Sequence, residues 1–167
     1  DGTAFDNKRR SGGRMTVGGI YGEGAYDDGD DWLLTLGLRA DYWTTAQGHL
    51  MQSVRATNAV LLDTDYASRD GTVPTGRFGA RRNFGDQYLR VAGYEGFRVP
   101  SLNELYRPFR VGNNNTVANA GLKPEKLYGA EIGWGGVFHD VSWNLTGFWN
   151  KMHDAITNVT IASSPAG

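Results

Sequence analysis

WLLTLGLRADYW, residues 32–43, alternates without a break for twelve positions. Its even positions are Trp32, Leu34, Leu36, Leu38, Ala40 and Tyr42. Its odd positions are Leu33, Thr35, Gly37, Arg39, Asp41 and Trp43. One face is wholly apolar with an aromatic ring at each end. The other carries Arg39 and Asp41, opposite charges two residues apart. Side chains alternate across a strand with period two, so this is a strand with one apolar side. Globular strands have a mode of ~5–6 residues. A strand twice that length asks for an unusual surface to cover.

The pattern recurs further along. Residues 126–138 put Tyr128, Ala130, Ile132, Trp134 and Phe138 on one face, opposite Leu127, Gly129, Glu131, Gly133, Gly135 and Val137. Residues 141–151 put Val141, Trp143, Leu145, Gly147 and Trp149 opposite Ser142, Asn144, Thr146, Phe148 and Asn150. Residues 14–26, 75–84 and 87–98 alternate less cleanly, and Tyr94 and Glu95 blur the last of these. Six strands are therefore predicted, near 14–26, 32–43, 75–84, 87–98, 126–138 and 141–153. Within 49–62 a weaker alternation around Thr57-Asn58 suggests a small hairpin.

The connections between them are unequal. Asp27-Asp28-Gly29-Asp30-Asp31, Gly85-Asp86 and His139-Asp140 are tight turns. Between them lie two long connections, 44–74 and 99–125. Structureless loops above ~12–15 residues are uncommon in compact domains. Outer-membrane barrels have this asymmetry, with short periplasmic turns and long extracellular loops. A spanning strand needs ~9–11 residues at a tilt of ~45°, which all six segments supply. The predicted fold is all-β: an antiparallel up-and-down meander of about six long strands from a large transmembrane barrel. Loops 44–74 and 99–125 are expected outside the cell.

Composition agrees with that class. The chain has 167 residues, 24 glycines, five Trp, eight Tyr and no cysteine. Glycine is about twice its usual ~7% share, which disfavours helices. Without cysteine there is no disulfide and no thiolate metal site. A net charge of -1 argues against nonspecific binding to nucleic acid. No run approaches the ~18 apolar residues of a membrane helix, which leaves a barrel open. Asp1 and the small polar residues at 162–167 suggest a piece of a longer protein.

One stretch carries a more specific signal. Gly96, Phe97, Arg98, Pro100, Ser101, Asn103, Glu104, Leu105 and Tyr106 form one element; Asn119, Leu122, Lys123, Pro124 and Glu125 form another after an intervening loop. The pair resembles the TonB-dependent outer-membrane receptors, in which such elements close one strand and open the next. Phe148-Trp149-Asn150-Lys151 with Asp154-Ala155-Ile156 resembles that family's following strand and its exit. The resemblance covers 75–160 well and 14–74 more loosely. It implies a plugged barrel of 22 strands in the outer membrane of a Gram-negative bacterium. It also implies active uptake of a scarce nutrient, most readily a ferric siderophore, with haem or cobalamin as other cargoes. The implied partners are outer-membrane lipid, the plug domain of the same full-length chain, TonB through a missing N-terminal part, and an extracellular metal chelate. No cofactor is expected, and no nucleic acid.

Several residues are candidates for function. Arg98, Glu104, Arg107, Arg110 and Lys123 are read as a charged network that anchors the loop or binds an anionic chelate. Anchoring is preferred, because the motif is not specific to one ligand. Asn113 and Asn114, with Asn115, are turn formers first and possible ligand contacts second. Arg39, Asp41, Glu131, Asn144 and Asn150 should face the lumen, since an Arg or Lys facing lipid at midplane costs ~2–4 kcal/mol. Catalysis finds no support. His49, His139 and His153 lack metal spacing, and Asp63, Asp65 and Asp70 lack the twelve-residue calcium-loop pattern. Two other readings compete: a passive porin-like barrel, and a soluble secreted β-rich binding domain.

Overall fold

A computed structural model of the protein describes residues 6–111 and 114–158. Its elements in chain order are β1 (Asn7–Asp27), β2 (Trp32–Val54), β3 (Val60–Tyr66), β4 (Arg69–Phe84), β5 (Gln87–Arg98), α1 (Leu102–Tyr106), β6 (Phe109–Val111), β7 (Asn114–Thr116), β8 (Glu125–Phe138) and β9 (Val141–His153). One antiparallel sheet runs in the order β1-β2-β4-β5-β8-β9, with β3 paired to the outer half of β2. The pair β6-β7 forms a separate small hairpin. This is the all-β antiparallel meander that the alternation predicts.

The tight turns follow from local chemistry. Between β1 and β2, Gly29 takes φ 79°. There the Asp28 carboxylate accepts backbone N–H bonds from Trp32 at 2.9 Å and from Asp30 at 3.0 Å. Those bonds favour its charged form and hold its carboxyl below the usual aspartate range. Gly85 at φ 59° turns β4 into β5, and His139 at φ 53° turns β8 into β9.

Cross-strand register decides which side chains share a face. One row runs Leu34, Ala80, Val91, Ile132 and Gly147; the next runs Leu36, Phe78, Gly93, Ala130 and Trp149. A third joins Trp32, Arg82, Leu89, Trp134 and Leu145. The alternate rows carry the charges, including Thr35, Gly79, Ala92, Glu131 and Phe148. The apolar face is uncovered: Leu36 is 56% exposed and Leu145 is 68% exposed. The sandwich reading needs a second sheet over these residues. The remaining sheet among the described residues is the two-stranded β6-β7.

Two expectations need correction. Residues 44–74, expected as one extracellular loop with a small hairpin around Thr57-Asn58, are strand for most of their length. The pairing of β2 with β4 continues in one register into its pairing with β3, from Trp32 opposite Arg82 through Thr45 opposite Arg69 to Gly48 opposite Tyr66. Thus β2, β3 and β4 make one long hairpin whose tip is residues 55–59. Accordingly β1 starts at Asn7 rather than 14, β2 continues past 43 to Val54, and β4 starts at Arg69 rather than 75. The physical reason is a bulge: Gly12 pairs His49 while Arg14 pairs Ala46, so β2 holds an extra residue opposite Gly13. Gln47 absorbs it at φ 55°. The bulge flips side-chain parity, so period two is lost although the ladder continues. Residues 99–125, expected as an extracellular loop, hold α1, β6 and β7.

The packed part of the molecule lies on the charged side of the sheet, at the end away from the tight turns. Trp43, Leu50, Val73, Leu105 and Tyr106 are its buried apolar residues. The lower half of the sheet has no such cover, because its apolar side points the other way.

Candidate functional site

The end of β5 is built around Arg98. Pro100 has no N–H and pushes its predecessor toward extended geometry, so the ladder stops and the chain turns away. Ser101 then caps α1 in a capping box. Its hydroxyl accepts the Glu104 N–H at 3.3 Å, and the Glu104 carboxylate accepts the Ser101 N–H at 2.7 Å. The same carboxylate accepts Arg98 Nη1 on both oxygens, at 3.1 and 3.0 Å. Arg98 also donates from Nε and Nη2 to Glu125 Oε2, at 3.0 and 2.8 Å. Glu125 stands directly opposite Arg98 in the β5-β8 register. All three guanidinium nitrogens are therefore engaged. Burial pushes the Glu104 carboxyl up, but bonds from Arg98 and Ser101 outweigh it and leave the group below the usual glutamate range.

A second anchor is aromatic. Tyr106, 1% exposed, lies over two glycines. A Cβ at Gly48 would stand 2.5 Å from the ring's Cζ, and one at Gly13 would stand 3.1 Å from Cε2. Tyr66 stacks on the same ring, with centroids 4.9 Å apart. Two arginines reach up to backbone carbonyls of the loop. Arg9 donates to Pro108 O at 3.0 Å and to Gln52 Oε1 at 3.1 Å. Arg69 donates to Ala120 O at 2.5 Å and to Leu122 O at 2.8 Å. Segment 99–125 is thus pinned against the charged side of the sheet at four places.

The predicted network is divided by this geometry. Arg98 and Glu104 meet each other, together with Glu125. Arg107 is exposed, with its N–H donated to Asn103 O at 3.0 Å, and Lys123 is exposed. Neither forms an ion pair with another described residue. Arg110 lies in β6 opposite Asn115, and Asn114 lies in β7 opposite Val111. Asn113 falls outside the described residues.

Lower on the same side lie the other charged residues. Arg39 binds Asp41 through two bonds, of 2.5 and 2.6 Å, as side chains two apart on a strand can. Asp41 is fully buried and occupies the space over Gly19. Glu131 receives Arg90 and Tyr94, both at 3.4 Å, and Tyr94 also meets Asn150 at 3.1 Å. Asn144 pairs opposite Gly135 on this side. Arg77 pairs with Glu23 across a shallow groove that Tyr21, Arg39, Thr75 and Glu95 also line.

Arg9, Arg69, Glu125, Tyr66 and the Tyr106 seat are contacts of the loop that the sequence reading did not single out. Arg9 and Arg69 bond carbonyls, which leave no mark in the sequence. Glu125 and Tyr106 stand inside the quoted motifs, and pairing across β5 and β8 would have joined Glu125 to Arg98.

Long antiparallel strands, a bare apolar side and a loop pinned on the charged side define a wall section of an outer-membrane-type β-barrel. The chain belongs to the family of TonB dependent receptor-like β-barrels, whose family model matches residues 1–167. It is an outer-membrane family of Gram-negative bacteria, whose members are transporters and not enzymes. Among solved structures the chain is similar to the copper transporter OprC, with TM-score 0.60 and 20% identity over 83% of this chain and 21% of that one. It is also similar to a double mutant of the Serratia marcescens hemophore receptor HasR, in complex with its hemophore HasA and heme. There the TM-score is 0.66 and the identity 17%, over 84% of this chain and 26% of that one. The chain therefore spans about a fifth to a quarter of each. A search of the curated proteins returns no match.

Proposed function

We propose that this chain forms part of the barrel wall of an outer-membrane receptor for TonB-dependent active uptake of a metal chelate, a ferric siderophore being the first candidate. The observation that carries this reading is the pinned segment 99–125. It is held at Arg98, Tyr106, Arg9 and Arg69, which leaves Arg107 and Lys123 exposed. Cations carried on an anchored loop at the mouth of a barrel suit an anionic chelate. Arg98 serves as an anchor in this reading, since its donors are already engaged. The charged side, with Arg39, Asp41, Glu131 and Asn144, faces the lumen and the plug of the full-length chain.

The titles of the two structural neighbours name copper in one case and a hemophore with heme in the other. They support uptake of a metal or its complex and leave the chelate open between siderophore and haem. The family match speaks against a passive porin. The test is uptake of labelled ferric siderophore, haem and copper by cells making the full-length receptor, with and without TonB. TonB-dependent uptake of the siderophore supports the proposal. Uptake of haem or copper alone would keep the class and reject the siderophore. Equal uptake without TonB would reject the class.

A further inference from the structure

One edge inside the sheet is left open by the fold itself. The outer edges of β1 and β9 are where neighbouring staves of a closed barrel pair. Strand β4 differs, because both of its neighbours, β2 and β5, belong to this chain. It pairs with β5 only from Arg77 to Phe84, and β5 then continues to Arg98 against β8. From Arg69 to Gly76, β4 pairs with β2 and with no second strand among the described residues. Strand β3 likewise pairs with β2 alone among them. The edge of the long hairpin turned toward β5 therefore carries backbone N–H and C=O groups with no ladder to join.

Open edges template further pairing, and proteins blunt them with Pro, bulges or charge. The β4 part is blunted by Pro74, which has no N–H to offer. The β3 part, Val60–Tyr66, reads VLLDTDY and holds neither Pro nor Gly. At ~3.3 Å per residue this edge is about 20 Å long. Leu61 and Leu62 on it are exposed. Its charges are Asp63 and Asp65, opposite Met51 and His49. Two residues apart, they share one side of the strand. Both are exposed, and neither forms an ion pair with another described residue. A second copy laid antiparallel and centred on Thr64 would set Asp63 against Asp65, and like charges directly opposite are destabilising. The edge thus repels its own kind and favours a strand of opposite charge.

We infer that the edge of β3 docks an extended basic segment of an extracellular polypeptide, which joins the sheet as a further strand. In such strand addition, main-chain hydrogen bonds supply affinity and alternate side chains supply specificity. The pattern that fits an antiparallel partner is Lys or Arg at i and i+2, facing Asp65 and Asp63. Apolar residues at i+1 and i+3 would then lie on the other side, toward Thr64 and Leu62. The inference goes beyond uptake and rests on the outer-membrane reading only in placing this hairpin outside the cell.

The test titrates the full-length receptor, purified in detergent, with a synthetic peptide in which Lys alternates with Val. The same peptide with Glu in place of Lys should not bind. The double variant Asp63→Asn, Asp65→Asn should bind the Lys peptide about 2- to 30-fold more weakly, the combined effect of two opposite-charge pairs across strands. Asp140→Asn, in the turn at the other end of the sheet, should bind like wild type. Backbone N-methylation separates strand addition from adsorption by charge. Methylating alternate residues blocks the N–H row on one edge of the peptide and spares the other. Of the two peptides methylated at every Lys or at every Val, one should bind and the other should not. Binding by both or by neither would overturn the inference. So would equal affinity of wild type and the double variant, or no binding of the unmethylated Lys peptide. Uptake by cells making the same receptor separates the two proposals. TonB-dependent siderophore uptake with no peptide bound rejects this one alone, and peptide bound without TonB-dependent uptake rejects the other alone.

Discussion

Gly48→Ala is a small change with a large expected consequence. The added methyl would meet Tyr106 Cζ at 2.5 Å, Cε1 at 2.8 Å and Oη at 2.9 Å. Comfortable carbon contacts need ~3.5–4.0 Å, so the ring must retreat by about 1 Å. Tyr66 stacked on it, and Gly13 beneath it, limit where it can go. Gly48 has no positive φ, so the backbone itself accepts alanine. The cost is that of overpacking, about 1–3 kcal/mol, which lowers the docking equilibrium constant of segment 101–108 roughly 5- to 150-fold. The assay is hydrogen exchange on the full-length receptor, read at the amides of Leu105 and Arg107, whose N–H groups donate to Ser101 O and Asn103 O. Both should exchange faster by that factor. Gly18→Ala is the control, since nothing lies within 4 Å of its Cβ position. In a Tyr106→Ala background the Gly48 change should add little, because neighbours that share a contact are not additive. Unchanged exchange in Gly48→Ala, or the same change in Gly18→Ala, would refute the packing argument.

Three further outcomes are expected. Leu145→Arg should destabilise the folded barrel by about 2–4 kcal/mol in vesicle unfolding, while Asn144→Arg, next to it on the opposite side, should change it by less than half as much. The Glu104 carboxyl lies below its ordinary range when docked, so its contribution is present above that range and is lost as pH falls through the docked value. Protease sensitivity of segment 99–125 should therefore rise below about pH 4.3, and Glu104→Gln should flatten that dependence. The 167-residue segment alone, with β1 and β9 as open edges and its apolar side bare, should aggregate in plain buffer; a monodisperse monomer by light scattering would contradict this.

What the sequence disclosed depended on where each strand meets its solvent. Residues 32–42 must be apolar toward lipid and polar inward, so selection by the two surroundings writes period two directly. Above Tyr42 both sides are wet or loop-covered, and that pressure disappears. The stretch Asn7-Lys8-Arg9-Arg10-Ser11-Gly12 pairs residue for residue with β2 yet contains no apolar residue. Pro74 in β4 reads as a breaker, but beyond Arg77 that strand has no β5 partner, so an edge proline costs no ladder bond there. The bulge at Gln47 hides the rest by reversing parity. In the site, the Arg98 and Glu104 motif was legible because both members are side chains at fixed spacing. Arg69 was not, since its partners are the carbonyls of Ala120 and Leu122, 51 and 53 residues away.

The central claim is that one side of this sheet faces lipid and the other the lumen. The chain has no native cysteine, which suits a scan of single cysteines across 32–43 in the full-length receptor, spin-labelled in outer-membrane vesicles. Collision rates with lipid-dissolved oxygen and with a water-soluble relaxant would be read at each position. The account predicts strict alternation: oxygen dominates at 34, 36, 38 and 40, and the aqueous reagent at 35, 37 and 39. Uniform aqueous access, or an alternation of the opposite phase, would contradict it.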